Sequence, residues 1–311
     1  MTLKTTLGVI VLISSMLSIF LNILIFIPVF RLAFVTKRST VYIIAFFNVI
    51  SDLCQLVVIG IFLSPCIIAD SYLIDEEVDG SLSVFIGAFF LFAWCFESLV
   101  QVVMSVNRLT VITFKKYNVF TIRFTLFIFF IITCLTAATG YTVQYLLPCC
   151  LFLSDHEVFF LRFIPQEGHY NYSNAVIVFY DLFSTFSSTI CYIFVLSTIR
   201  STGSQVANNV SKERSMQDKR YLIQFIFISI FYISIWVLFE ILPYIVPEGQ
   251  VEWYVIVPIL VTFNCSSNSV IYLSVNIEVQ KILPIPWLRK RFIKPVIIKP
   301  AIPNSTGRPN T

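Results

Sequence analysis

The chain has 311 residues; 58% are apolar and only 12% are Asp, Glu, Lys or Arg. A soluble domain carries about a quarter charged residues, so this chain lacks the polar groups to cover a globule of its size. With 32 Phe against 9 Gly and a net charge of only +4, collagen-like, disordered and nucleic-acid-binding readings fall away. An integral membrane protein remains.

A helix needs roughly 20 apolar residues to cross a hydrocarbon core about 30 Å thick. Span one is predicted over residues 7–30 and carries Asn22. Its apolar stretch exceeds that of a signal peptide and no small-x-small cleavage site follows, so it is read as a span that stays. Span two, 41–68, carries Asn48, Asp52 and, at its end, Cys66. Span three, 82–106, holds Phe89, Phe90, Trp94 and Glu97, and Asn107 and Arg108 follow it. Span four, 122–148, leads to Cys149 and Cys150, then to a loop with the N-x-S triplet at Asn171. Span five, 174–199, opens on Tyr180 and Asp181. Span six, 221–246, contains Trp236, Glu240, Pro243 and Tyr244; span seven, 253–275, opens at Trp253 and carries Asn268 and Tyr272. Lipid offers no partner to an open backbone, so these are helices. The expected fold is an all-α seven-transmembrane bundle over residues 1–283 with a cytosolic tail, 284–311.

Orientation follows from the basic residues. Nineteen of the 21 Lys and Arg fall on one side of the spans, leaving Lys4 and Arg162 on the other, where acids gather from Asp70 to Glu252. The amino terminus is therefore expected outside. Asn171 then lies where glycosylation occurs, whereas the triplets at Asn209 and Asn304 fall in the cytosol.

Ionisable groups within the membrane are costly, face the bundle interior and usually serve a purpose. They are Asp52, Glu97, Asp181 and Glu240. Asp52 and Glu97 are expected near one another, and two carboxylates in a low dielectric do not both stay ionised without a cation or another partner. One reading is a sodium- or proton-sensitive switch; the other is a neutral hydrogen-bonded pair.

Leu21-Asn22, Ser51-Asp52, Val106-Asn107-Arg108 and Asn268-Ser269-Val270-Ile271-Tyr272 stand in the order and depth of motifs in rhodopsin-like G-protein-coupled receptors. The chain resembles that superfamily. The resemblance implies that Arg108, which follows Asn107, holds the cytosolic end closed and that Asn22, Asp52 and Asn268 form a network that rearranges on activation. Tyr272 would swing inward. Asn107, Leu109 and Ser269 replace the acid, the tyrosine and the proline of the usual motifs, and Trp236 and Pro243 are seven apart. The usual cysteine near the outer end of span three is absent, with Ser83 close to its place.

Further features are Ser105-Val106-Asn107-Arg108, Lys116-Tyr117-Asn118-Val119-Phe120-Thr121, Tyr180-Asp181-Leu182-Phe183, Arg220-Tyr221-Leu222-Ile223-Gln224 and Asn276-Ile277-Glu278-Val279. Over essentially its whole length the chain is similar to nematode chemoreceptors of the serpentine receptor class x type. That resemblance implies a chemosensory receptor in the plasma membrane of sensory-neuron cilia, with a small-molecule ligand and a heterotrimeric G protein as partners.

The default ligand pocket lies between the outer halves of the later spans. Phe90, Trp94, Asp181, Glu240 and Tyr244 are its candidates. No acid sits on the outer half of span three, so a protonated amine is not the favoured ligand. None of the eight cysteines shows zinc spacing. Cys66 at the end of span two and Cys149 or Cys150 after span four are candidates for a bridge, with unpaired thiols the alternative. No metal or cofactor motif is present, and His156 and His169 offer little to an enzyme. A small-solute transporter is the main rival, but the spans are mostly unbroken and show no repeat.

Overall fold

The computed structural model describes residues 2–72, 80–114, 116, 119–147, 149–164, 168, 170–203, 229–247 and 249–283. The first turns expected of span six, with the motif at 220–224, lie outside these residues. So do Tyr117, Asn118, His169, the tail 284–311 and most of the basic loop before span six.

Among the described residues six helices are long and apolar enough to cross a membrane: α1 Leu3–Val35, α2 Thr40–Ala69, α3 Ser81–Thr113, α4 Ile122–Leu146, α5 Tyr172–Ser201 and α7 Val251–Ser274. Between the last two lies α6, described over Ser229–Ile245 and also apolar. A short helix, α8, follows over Ile277–Ile282. Helices α1 to α5 and α7 overlap spans one to five and seven, with ends that differ by a few residues, and α6 overlaps the later part of span six. Phe20, Phe127, Phe130, Phe179 and Phe186 stand exposed on the outer faces of α1, α4 and α5, which lipid rather than water can cover.

The starts are set by caps. Side-chain oxygens of Thr2, Ser39 and Thr121 accept the first free amides of α1, α2 and α4, and Asn171 Oδ1 does so for α5 from Asn174 N at 2.9 Å. Pro65 has no amide to donate within α2. The helix there widens by one residue over Val58–Leu63, and Ser64 Oγ donates to Ile59 O at 2.7 Å. Similar wide turns close α1, α3 and α4.

Two apolar clusters fill the bundle. The inner one joins Ile25, Val49, Val100, Met104 and Tyr272; the outer one joins Val11, Leu56, Phe90, Trp94 and Tyr232. Fully buried polar residues of α1, α2, α3 and α7 accompany them, including Asn22, Asp52, Gln55, Glu97 and Asn264. Burial without partners would cost several kcal/mol per group, so these side chains must satisfy one another.

One element was not expected. The loop after α4 forms an antiparallel hairpin, β1 Phe152–Asp155 with β2 Phe160–Phe163, pairing Phe152 with Phe163 and Asp155 with Phe160. Its backbone lies so close to α3 that a Cβ on Gly87 would stand 1.8 Å from Phe152 O. Only glycine admits that approach.

The cysteine expectation also changes. Cys149 and Cys150 bridge to each other, and Cys66, buried in α2, takes no part.

Candidate functional site

The site begins at the outer cluster. Phe90 and Trp94, one turn apart on α3, point beneath the hairpin, and Phe90 meets the Phe160 ring edge-on with centroids 5.7 Å apart. Asp181 of α5 is buried against them, accepting from Trp94 Nε1 at 3.0 Å. A second donor, the Tyr232 hydroxyl of α6, reaches the same carboxylate oxygen. Phe90, Trp94, Phe160 and Asp181, together with Phe152, Trp236 and Phe239, line a cavity of about 30 Å3. Trp236 Nε1 is buried with no hydrogen-bond partner among the described residues.

Glu240 and Tyr244 do not join this cavity. They line a second, outer space of about 310 Å3, walled also by Arg162, Asn171 and Asn174. Asn174 Nδ2 donates to Glu240 Oε2 at 3.2 Å, and Tyr244 is 90% exposed. The spaces share Phe160 and Phe239 as lining residues. Of the five ligand candidates, then, Phe90, Trp94 and Asp181 come together, whereas Glu240 and Tyr244 stand further out along α6.

The hairpin roofs the inner cavity and is tied to the helices. Gln144 of α4 donates through Nε2 to Phe152 O at 3.0 Å and Val84 O at 3.1 Å, and its Oε1 accepts from Phe152 N at 3.2 Å. Toward the amino terminus, Arg162 pairs with Asp155 at 2.6 Å and Tyr72 donates to Asp155 at 3.3 Å. His156 packs edge-on against Tyr72, with Nε2 3.6 Å from Asp70, which Lys4 also reaches. The Lys4 hydrogen bond holds Asp70 below the usual carboxylate range. Burial, followed by the Lys4 charge, holds His156 below 6.5. Burial and the Asp155 carboxylate push the Tyr72 phenol upward.

Deeper in the bundle the polar residues do pair. Asp52 Oδ2 accepts from Asn48 at 3.0 Å and Asn268 at 3.2 Å. Glu97 accepts from Gln55 at 2.5 Å and Asn264 at 2.7 Å. Ligand atoms of Asp52, Glu97 and Cys265 lie within 4.8 Å of one another, so the expected closeness of the two acids holds. Asp52 Oδ1 and Asn264 Oδ1 are buried with no hydrogen-bond partner among the described residues. Asn22 donates to Ser18 O and Cys265 O, both at 3.0 Å, and accepts from Ser269 at 2.8 Å. The serine where the superfamily keeps proline thus has a local role: it ties α7 to α1.

At the inner end, Asn107 is buried with Nδ2 lacking a partner among the described residues. Arg108 stands half-buried where the wide turn begins, and Tyr272 packs into the inner apolar cluster. Asn171 is half-buried; capping α5 uses its Oδ1, which leaves Nδ2, the atom a glycan takes, outside that bond.

Reading the spans did not single out Tyr232, Gln144, Gln55 or Ser98. Gln55 carried a faint signal, one turn beyond Asp52. Tyr232 carried none, because aromatic residues in membrane helices are mostly packing.

Among the described residues, seven apolar helices surround a buried polar layer, with a cavity under a hairpin: the arrangement of a serpentine membrane protein. The chain superimposes on a crystal structure of squid rhodopsin with a TM-score of 0.70 at 10% identity, over 92% of this chain and 86% of that one. That likeness speaks for the fold. Residues 12–276 match the family model described as serpentine type 7TM GPCR chemoreceptor Srx, and the chain belongs to that family. No curated protein matches it in sequence.

Proposed function

We propose that this receptor binds a small molecule in the inner cavity and passes the event to a heterotrimeric G protein at its cytosolic end, from the plasma membrane of a sensory cilium. The observation that carries this reading is Asp181: a buried acid in the wall of an otherwise apolar, largely aromatic cavity, where pure packing would place an apolar residue. In this reading Phe90 and Trp94 form the wall, while Glu240 and Tyr244 line the entrance. Asn22, Asp52, Glu97 and Asn268 are the layer that rearranges, and Asn107, Arg108 and Tyr272 the inner switch. Asn171 carries a glycan on the outer face.

The pair Asp52 and Glu97 gives the layer a sodium or proton sensitivity, because two ionised carboxylates so close require a compensating charge. A ligand screen in cells expressing the chain, read by G-protein activation, tests the whole reading. Asp181→Ala at matched surface expression should abolish the response, whereas an unchanged response would remove the cavity from the mechanism.

A further inference from the structure

The inner cavity has one ionisable wall and no basic one among the described residues. Asp181 receives only neutral donors, the Trp94 indole and the Tyr232 hydroxyl. Around it stand the rings of Phe90, Trp94, Trp236 and Phe239, and Trp94 stacks on Tyr232 with centroids 5.4 Å apart. The outer space repeats the pattern: Glu240 has the neutral Asn174 as its donor. Arg162, the basic residue lining that space, is paired with Asp155. A ligand passing Phe239 therefore meets two carboxylates without cations of their own.

We propose that the ligand is a small organic amine carried as its ammonium ion. Asp181 is the counter-ion, and the indole and phenyl faces form a cage around the cationic head. Ring faces attract cations, most strongly when both are desolvated. A charge-assisted bond to a buried carboxylate is about twice as strong as a neutral one. The sequence argued against an amine because span three lacks an outer acid; the fold supplies that acid from α5, pressed against Trp94 of α3. A cavity of about 30 Å3 admits an ammonium head and one or two carbons, with the rest of the ligand reaching toward the outer space. Trp236 Nε1 offers one further donor to an oxygen on such a ligand.

The proposal rests on the ligand-binding reading above, and the test separates the two. The full receptor in lipid nanodiscs is titrated with ethylamine, propylamine and isobutylamine, and with ethanol, 1-propanol and isobutanol as neutral counterparts, reading thermal stability. At least one amine should raise Tm in a saturable way, with its neutral counterpart weaker by about tenfold, the worth of one charge-assisted bond. Asp181→Asn should weaken that amine by about tenfold, and Asp181→Glu should restore part of it. Trp94→Phe, which leaves the carboxylate in place, gives a second readout should the asparagine variant not fold; it should weaken amines more than alcohols. Alcohols binding as tightly as amines would overturn the amine assignment and leave the cavity as a ligand site. Stabilisation by neither series would overturn both.

Discussion

Tyr232 on α6 donates to Asp181 Oδ1 on α5 and also meets the Ser98 hydroxyl on α3. Ser98 follows Glu97, which accepts from Gln55 of α2 and Asn264 of α7. In the proposed reading, a ligand that moves Asp181 acts through Tyr232 on Ser98, which is joined to the polar layer by the α3 backbone next to Glu97. Tyr232→Phe keeps the ring against Trp94 and removes the hydroxyl. Its expected effect is a loss of maximal signalling and of the coupling between ligand and G protein, a coupling that is typically about 1–3 kcal/mol, with little change in ligand affinity when G protein is absent. Dose–response curves separate the two; lost affinity with a full maximal response would reduce Tyr232 to a wall of the cavity.

At the inner end, Asn107 is buried next to Arg108 in the chain. Asn107→Asp adds a carboxylate beside the Arg108 guanidinium, and such a charged pair favours the closed end of the bundle. Ligand-free signalling should fall at equal surface expression. If it does not change, closure is set elsewhere.

Gln144 fixes the hairpin by satisfying both the amide and the carbonyl of Phe152. Gln144→Ala orphans two buried backbone groups, an expected loss of about 1–3 kcal/mol for each left dry. Gly87→Val should act in the same direction, because its side chain enters the space of Phe152 O. Both variants should lower Tm and weaken ligand retention; normal Tm with normal off-rate would mean that the hairpin is not held by this contact.

His156 sits among Asp70, Tyr72, Asp155, Glu157, Lys4 and Arg162, and burial keeps its pKa below 6.5. An unfolded imidazole takes its proton near 6.5, the folded one only at lower pH. Between those values the unfolded chain binds more protons, so stability falls as pH drops. The contribution is complete above about pH 6.5 and is spent once the lowered value is passed. Tm measured from pH 7.5 to 5 should decline over that interval, and His156→Asn should flatten the decline. An identical profile in the variant would assign the effect to another group.

Glu97→Gln tests the paired acids. Ligand affinity should shift when sodium is exchanged for a large organic cation, and the glutamine variant should lose that shift. Affinity insensitive to sodium and pH in the parent receptor would mark a neutral, hydrogen-bonded pair.

The spans could be read from residues because lipid imposes length and hydrophobicity on each helix by itself, and the wide turns at their ends moved boundaries by only a few residues. Asp52 and Glu97 could be paired from helix depth alone. The hairpin could not: two strands of four residues in an apolar chain give no periodicity to detect, and what fixes them is Gln144 and Gly87 on other elements. Likewise, the separation of Glu240 from Asp181 depends on how far α6 rises past the hairpin, a tertiary quantity. Tyr232 acquires its role from Asp181 and Ser98, neither of them near it in sequence.

The central claim is that occupation of the Asp181 cavity drives nucleotide exchange on a G protein. Receptor reconstituted with heterotrimeric G protein, and titrated with the amine that stabilises it best, measures this directly. Exchange should be saturable, and Asp181→Asn should shift it to about tenfold higher concentration. Exchange that is absent in the parent receptor, or unmoved in the variant, would contradict it.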